Sequence, residues 1–307
     1  MVHQHAVTVR APAKVNLELA VGGPRADGYH ELATVFHAVS LYDDVTAAPA
    51  DEITVTVEGP QADRVPLDAS NLAVRAALAL AHRAGVDDGV RLHICKGIPV
   101  AGGMAGGSAD AAAALLACDT LWGTGMSRED LRELAAELGS DVPFGLIGGT
   151  AIGTGRGERL SPALARGEHH WVIALSEGGL STPAVYAEID RLRAGRVLPE
   201  PQVSDRLMQA LRSGDPEALG RALSNDLQPA AISLDPTLEH TLEAGLEYGA
   251  LGGLVSGSGP TVVFLVRDTE HAMDLSVALT ASGTVSDVRR AHGPAPGARV
   301  IGTQPLP

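Results

Sequence analysis

The stretch Pro99-Val100-Ala101-Gly102-Gly103-Met104-Ala105-Gly106-Gly107-Ser108-Ala109-Asp110-Ala111-Ala112 constrains this chain more than any other. Four glycines within six positions free the backbone of Cβ atoms and let it take positive φ, and an alanine-rich helix follows at once. A helix beginning near Ser108 turns its unpaired N–H groups and the positive end of its dipole toward the loop, which makes an anion cradle. Ser108 adds a hydroxyl suited to a phosphate oxygen or to a phosphate-bound Mg²⁺. The same residues also read as a plain turn ahead of a buried helix. Two common phosphate loops are excluded. No lysine follows Gly107, as G-x-x-x-x-G-K-[ST] requires, and no G-x-G-x-x-G is followed by an acidic residue about 20 positions on. A Walker-type ATPase and a dinucleotide enzyme do not fit.

Bulk properties narrow the partners. The 307 residues are enough for two domains with proper cores. A net charge of −14 argues against a nucleic acid or an anionic membrane as partner, because such binding rests on neutralising phosphates. No apolar run approaches the ~20 residues needed to span a bilayer. The first residues, Met1 to His5, have neither a leader nor a transit pattern, so a cytoplasmic location is expected. Cys95 and Cys118 read as two buried thiols without chemistry, and the scattered histidines offer zinc no ligand set.

Along the chain, Val7, Val9, Val15, Leu17 and Leu19 predict strands interrupted at Pro12, with Lys14 beside the break. Residues 22–30 are turn chemistry around Asp27-Gly28. Strands follow at 32–41 and 53–57, separated around Asp43-Asp44. Ser70 is expected to cap a helix that aligns Leu72, Ala76, Leu80 and Ala84 and stops near Gly85. A strand at 90–95 feeds the glycine loop, and the helix from Ser108 to Trp122 is apolar nearly all round, hence buried. Ser127 opens another helix, closed by Gly139, and Asp141 in the next junction is a candidate helix cap. The glycine-rich segment 147–157 marks a meeting of two halves. The second half predicts a strand at 171–175, a helix after Pro183, helices near 203–213, 215–225, 235–248 and 269–281, and a short strand at Val300-Ile301. A second glycine-rich turn, Gly252 to Pro260, runs into an apolar strand.

Three of these segments, Pro12-Ala13-Lys14-Val15-Asn16-Leu17, Pro99 to Ala112 and Val255-Ser256-Gly257-Ser258-Gly259-Pro260, resemble in order the three motifs of the GHMP small-molecule kinases. The resemblance runs from about residue 7 to 290. It implies an α+β, two-domain GHMP kinase fold of mixed and antiparallel sheets with helices, its active site in the interdomain cleft. Residues 1–157 would form the ATP-binding domain and residues 158–307 the carboxy-terminal domain. Within that superfamily, Arg25-Ala26-Asp27-Gly28-Tyr29-His30-Glu31-Leu32 and Gly139-Ser140-Asp141-Val142-Pro143-Phe144 resemble the branch that phosphorylates a cytidine-diphosphate-linked methylerythritol in the non-mevalonate route to isoprenoid precursors.

The resemblance also implies roles. Asp141 takes or orients the proton of the acceptor hydroxyl, and Lys14 lowers the charge on that oxygen or on the transferring phosphoryl group. Residues 99–109 hold ATP, with Ser256, Gly257, Ser258 and Gly259 as the third loop. Asn16 contacts the acceptor, Tyr29 stacks on the base, and His30 meets the polar edge of the base. Tyr186 is a second stacking aromatic or an ordinary inward-packed helix residue. Mg²⁺ accompanies ATP; its protein ligand is open between Ser108 and Asp110, and Asp110 has the alternative of simply favouring the helix dipole. If Lys14 and Asp141 face each other, the carboxylate favours the charged lysine. Ala101 and Ala105 stand where the family carries glycine, so a positive φ at either would cost about 1 kcal/mol or more. The rival readings are a GHMP kinase for homoserine, mevalonate or a sugar, which has no base to stack, and a nucleotide-binding regulator without catalysis.

Overall fold

The computed structural model describes residues 5–176 and 178–305; residues 1–4, which carry most of the reading of the amino terminus, lie outside them. In chain order the elements are β1 (His5–Pro24), β2 (His30–Ala50), β3 (Thr54–Glu58), α1 (Leu72–Ala84), β4 (Gly89–Cys95), α2 (Gly106–Trp122), α3 (Arg128–Leu138), α4 (Val142–Ile147), β5 (Thr150–Gly155), β6 (Arg159–Pro162) and β7 (His169–Leu175). After these come α5 (Thr182–Leu192), α6 (Asp205–Ser213), α7 (Pro216–Ala222), β8 (Ser224–Asn225), α8 (Gln228–Leu234), α9 (Thr237–Glu247), β9 (Gly252–Val255), β10 (Val262–Val266), α10 (Thr269–Ser282), β11 (Asp287–Gly293) and β12 (Arg299–Pro305).

The expected break at Pro12 is absent, and β1 is one strand of 20 residues. Pro12 sits at a register shift against β2, where the partner jumps from Tyr42 to Val39, so the N–H it lacks is not missed in the ladder. Likewise β2 runs straight through Asp43-Asp44. Asp44 is paired with Arg10 at 2.7 Å, and Asp43 accepts the N–H groups of Gly97 and Ile98, so both charges are satisfied inside a sheet. The long β1–β2 hairpin carries the first sheet, ordered β12-β1-β2-β4-β3, with β5 on the other half of β2, β6 on β5 and β8 on β1. A second antiparallel sheet has the order β11-β7-β10-β9. The division at 157/158 falls inside the β5–β6 hairpin, where Thr154 pairs with Arg159, and the last strand returns to pair with β1.

Helix α1 is capped by Asn71, not Ser70: the Asn71 side chain accepts from Ala73 N–H at 2.9 Å while Ser70 is held by Asp68. Asn and Ser cap equally well, so their order in sequence could not decide between them. Ser127 caps α3 as expected, in a reciprocal box with Asp130. The segment 215–225 ends its helix at Ala222 and gives Ser224–Asn225 to β8. Helix α8 was not legible, because seven residues containing Pro229 are too few to show a period. Helix α2 is buried around most of its circumference and packs against β1 and β2, which fixes the glycine loop over the sheet.

Candidate active site

The loop between β4 and α2 takes the strained path that its two alanines made possible to foresee. Ala101 has φ +55° and Ala105 φ +60°, and Ala105 is the residue that precedes the first turn of α2. Gly103, at φ +71°, has no room for a side chain, since a Cβ there would collide with the Ser256 carbonyl oxygen. The second glycine-rich turn therefore packs directly on the first. Ser256 Oγ donates to Gly103 O at 3.2 Å, and Asn225 donates to the carbonyls of Val255 and Gly257 at 2.7 Å each, fixing the turn from behind.

A buried charge cluster supports the loop from below. Lys96 Nζ donates to Asp43 and, at 2.8 Å, to Asp110, with all three groups buried. Burial pushes the Asp110 carboxyl well above the ordinary aspartate range, reinforced by the charge of Asp43 and opposed by Lys96. Asp110, offered by the sequence as a metal ligand or a dipole partner, points into this cluster instead of the cavity above. Ser108 does line that cavity.

Lys14 enters from β1. Its ammonium donates to Asn16 Oδ1 at 2.7 Å and to Gly103 O at 2.8 Å, and lies 4.0 Å from Asp141 Oδ2. Lys14 and Asp141 thus do face each other, yet burial of the ammonium outweighs the carboxylate and leaves the Lys14 pKa below its ordinary value. Asn16 is held on both sides, since its Nδ2 donates to Thr34 Oγ1 at 2.8 Å. Asp141 occupies the cap position of α4, but its side chain accepts no helix N–H, so its carboxylate is not spent on capping. These groups line a cavity of about 340 Å³, together with Ser108, Gly257 and Ser258.

A second cavity of about 390 Å³ adjoins the first and contains Tyr29 and His30. Tyr29 is exposed and lies under the Arg156 guanidinium, 4.9 Å from ring centroid to carbon. His30 is buried, its ring 4.9 Å from that of Tyr186. Both readings of Tyr186 have support, because its ring packs on the second hydrophobic core and also lines both cavities. The two cavities share Leu32, Ser108, Asp141, Arg156, Thr182 and Tyr186. Asp141 therefore stands where a glycine-lined cavity meets one lined by aromatic rings.

Sequence reasoning missed Arg156, Thr34, Thr182 and Asn225. Arg156 had one signal, a lone cation between Gly155 and Gly157. The others had none, since Thr182 meets Ser258 (2.8 Å) only across 76 residues of chain. The cysteines are both free. Contrary to the sequence reading, Cys95 does have neighbours of ligand type: His93 and Glu58 place their donor atoms within 4.8 Å, because β3 pairs Glu58 with Cys95. That cluster lines neither cavity.

Two sheets, two interlocked glycine turns and a lysine–aspartate pair beside the junction of two cavities define a GHMP-type small-molecule kinase. Family models agree: the GHMP kinases N terminal domain matches residues 71–149 and the GHMP kinases C terminal domain matches residues 207–284. A 4-diphosphocytidyl-2-C-methyl-D-erythritol kinase of Streptomyces avermitilis is 63% identical over 295 residues, covering 96% of this chain and 99% of its own. A crystal structure of a 4-(cytidine 5'-diphospho)-2C-methyl-D-erythritol kinase superimposes with a TM-score of 0.74 at 35% identity, over 93% of this chain and 98% of the other. A homoserine kinase from Cytophaga hutchinsonii, 22% identical with a TM-score of 0.75 over 96% of this chain and 97% of its own, shares the fold. The chain belongs to the 4-diphosphocytidyl-2-C-methyl-D-erythritol kinase family.

Proposed function

We propose that this protein transfers the γ-phosphoryl group of ATP to the 2-hydroxyl of 4-diphosphocytidyl-2-C-methyl-D-erythritol, giving ADP and the 2-phosphate. The observation that carries this reading is the wall shared by the two cavities. Asp141, uncommitted to its helix and 4.0 Å from Lys14, sits where an acceptor held by its base would offer a hydroxyl to a nucleotide held by the loop. Homoserine, mevalonate and a sugar carry no base, whereas an acceptor with a nucleobase has a use for the Tyr29, His30 and Tyr186 side of the site. Arg156, on the wall between, suits the diphosphate that links base to methylerythritol.

In this reading Asp141 accepts the hydroxyl proton and Lys14 neutralises charge on the phosphoryl oxygens or on the attacking oxygen. Phosphoryl transfer has a loose transition state, so alignment and charge stabilisation matter more than a strong base. Asn16 aims Lys14. The loop from Pro99 to Ala109 and the start of α2 offer backbone N–H groups to the ATP phosphates, and Ser256 to Gly259 close the far side. Mg²⁺ carried by ATP fits the oxygen donors that reach the cavity, Ser108 Oγ and the Asp141 carboxylate, and would neutralise phosphate charge there. Residues 1–157 hold ATP and residues 158–307 complete the cleft. Both substrates are small soluble molecules, and we place the reaction in the cytoplasm; among the described residues no helix is long and apolar enough to cross a membrane.

The decisive assay is ATP-dependent ADP release with the cytidyl substrate against homoserine, mevalonate and galactose. Turnover of the cytidyl substrate alone is expected. Turnover of any of the others with none of the first overturns the reading, and no turnover of any leaves the non-catalytic regulator.

A further inference from the structure

His30 lines the second cavity, where an imidazole can meet the polar edge of a base in two opposite senses. Either ring nitrogen can carry the proton, and the partner of the other decides which. In this structure His30 Nε2 lies 2.8 Å from Asp190 Oδ1, on α5 and 160 residues away. A carboxylate only accepts, so the proton of the neutral ring is on Nε2, donated to Asp190. Nδ1 is then a bare acceptor. No described group bonds it, and His30 lines the second cavity. Tyr186, one helical turn before Asp190 on α5, packs on the same ring: the two ring centroids lie 4.9 Å apart with an interplanar angle of 37°. Two residues of one helix thus fix the ring's position and its tautomer.

We propose that Asp190 is a positioning residue that sets base specificity, by holding His30 as an acceptor toward a base that presents an N–H donor. This rests on the reading of the second cavity as a base site. The exocyclic amino group of cytosine is such a donor, whereas uracil offers a carbonyl oxygen at the same place and would face the lone pair of Nδ1. Specificity of this kind comes from leaving the wrong partner unpaired in a partly desolvated site, which costs more than the right pair gains. Asp190 touches neither reacting group, and its own side chain is 44% exposed, so replacing it leaves no buried charge behind.

The test compares wild type, Asp190→Ala and Asp190→Asn with the cytidine-diphosphate-linked substrate and with its uridine counterpart, alongside nitrogen NMR of the His30 ring in the free proteins. In Asp190→Ala, KM for the cytidyl substrate is expected to rise about tenfold and the cytidyl-over-uridyl preference in kcat/KM to fall about tenfold, with kcat changed less than about threefold. The NMR signature should move from a single Nε2–H tautomer to a mixture. Asp190→Asn, whose amide accepts or donates by flipping, should fall between. An unchanged tautomer, or an unchanged preference between the two bases, overturns the proposal. If wild type turns over neither nucleotide-linked substrate, it is the base-site reading that has failed, while the NMR comparison still decides whether Asp190 sets the ring.

Discussion

Lys14 and Lys96 lie beside the same glycine loop and are each only 6% exposed, yet they are opposite in kind. Lys96 donates to two carboxylates, Asp43 and Asp110. Burial pulls its pKa down, but those two charges together lift it above the ordinary lysine value. Lys14 donates to an amide oxygen and a backbone carbonyl, and its nearest carboxylate stands 4.0 Å off. Burial there wins, and its pKa falls. The difference teaches how to tell a structural charge from a working one. A charge whose partners all come from the protein holds elements together, whereas a desolvated charge left short of partners at a cavity wall is available to an incoming anion.

The comparison is broken most visibly at the site. Lys14→Met should lower kcat by about 100- to 1000-fold, with the melting temperature nearly unchanged, because it removes charge stabilisation and leaves no carboxylate buried. Asp141→Asn should lower kcat by about 100-fold or more with little change in KM for ATP. A near-normal kcat in either variant would return that residue to a structural part. Lys96→Met should show the reverse pattern. Removing one partner of a buried pair strands Asp43 and Asp110, and urea denaturation should read a loss of about 3–5 kcal/mol. Combining it with Asp43→Asn and Asp110→Asn should restore part of that loss; no loss in Lys96→Met would mean the cluster is not structural.

A third buried group sharpens the rule with pH. His37 is held neutral to about pH 3 by burial, helped by neighbouring His169, and it bonds Thr150 Oγ1 at 2.8 Å. The unfolded ring takes up its proton near the ordinary value of about 6.5, so between about pH 6.5 and 3 the unfolded state binds more protons and stability falls as pH falls. At pH 5 this one group should cost about 2 kcal/mol relative to pH 8. His37→Gln should unfold with a shallower pH dependence over that window, and equal slopes would count against the assignment. The smallest effect is expected at the loop. Ala105→Gly relieves φ +60° and should stabilise by up to about 1 kcal/mol in thermal unfolding, with the ATP site intact. A loss of stability would show that the alanine methyl packs usefully.

Local rules made part of the fold legible. The start of α3 could be read because Ser127 and Asp130 are three residues apart, and the buried α2 because its alanines leave no polar face. The strain at Ala101 and Ala105 was foreseeable because these alanines stand where the resembled motif carries glycine. What misled was local too: Pro12 and Asp43-Asp44 look like breaks until a register shift and distant partners absorb them. Arg156 and Asp190 escaped because each is an ordinary surface charge in its own neighbourhood.

By itself the sequence determined where the chain turns and which glycine segments are shaped for the anion site proposed here, and its motifs singled out two ionisable groups, Lys14 and Asp141. These are properties of a few adjacent residues: freedom in φ, a helix end, a hydroxyl, a charge. The tertiary structure alone decided what each charge does. Lys14 and Lys96 differ in partners supplied from positions far along the chain, and Asp110 was turned from a candidate metal ligand into a buried brace by Lys96 and Asp43. Electrostatic character depends on burial and on neighbours within a few ångströms, and in this fold most of those neighbours come from other strands and helices.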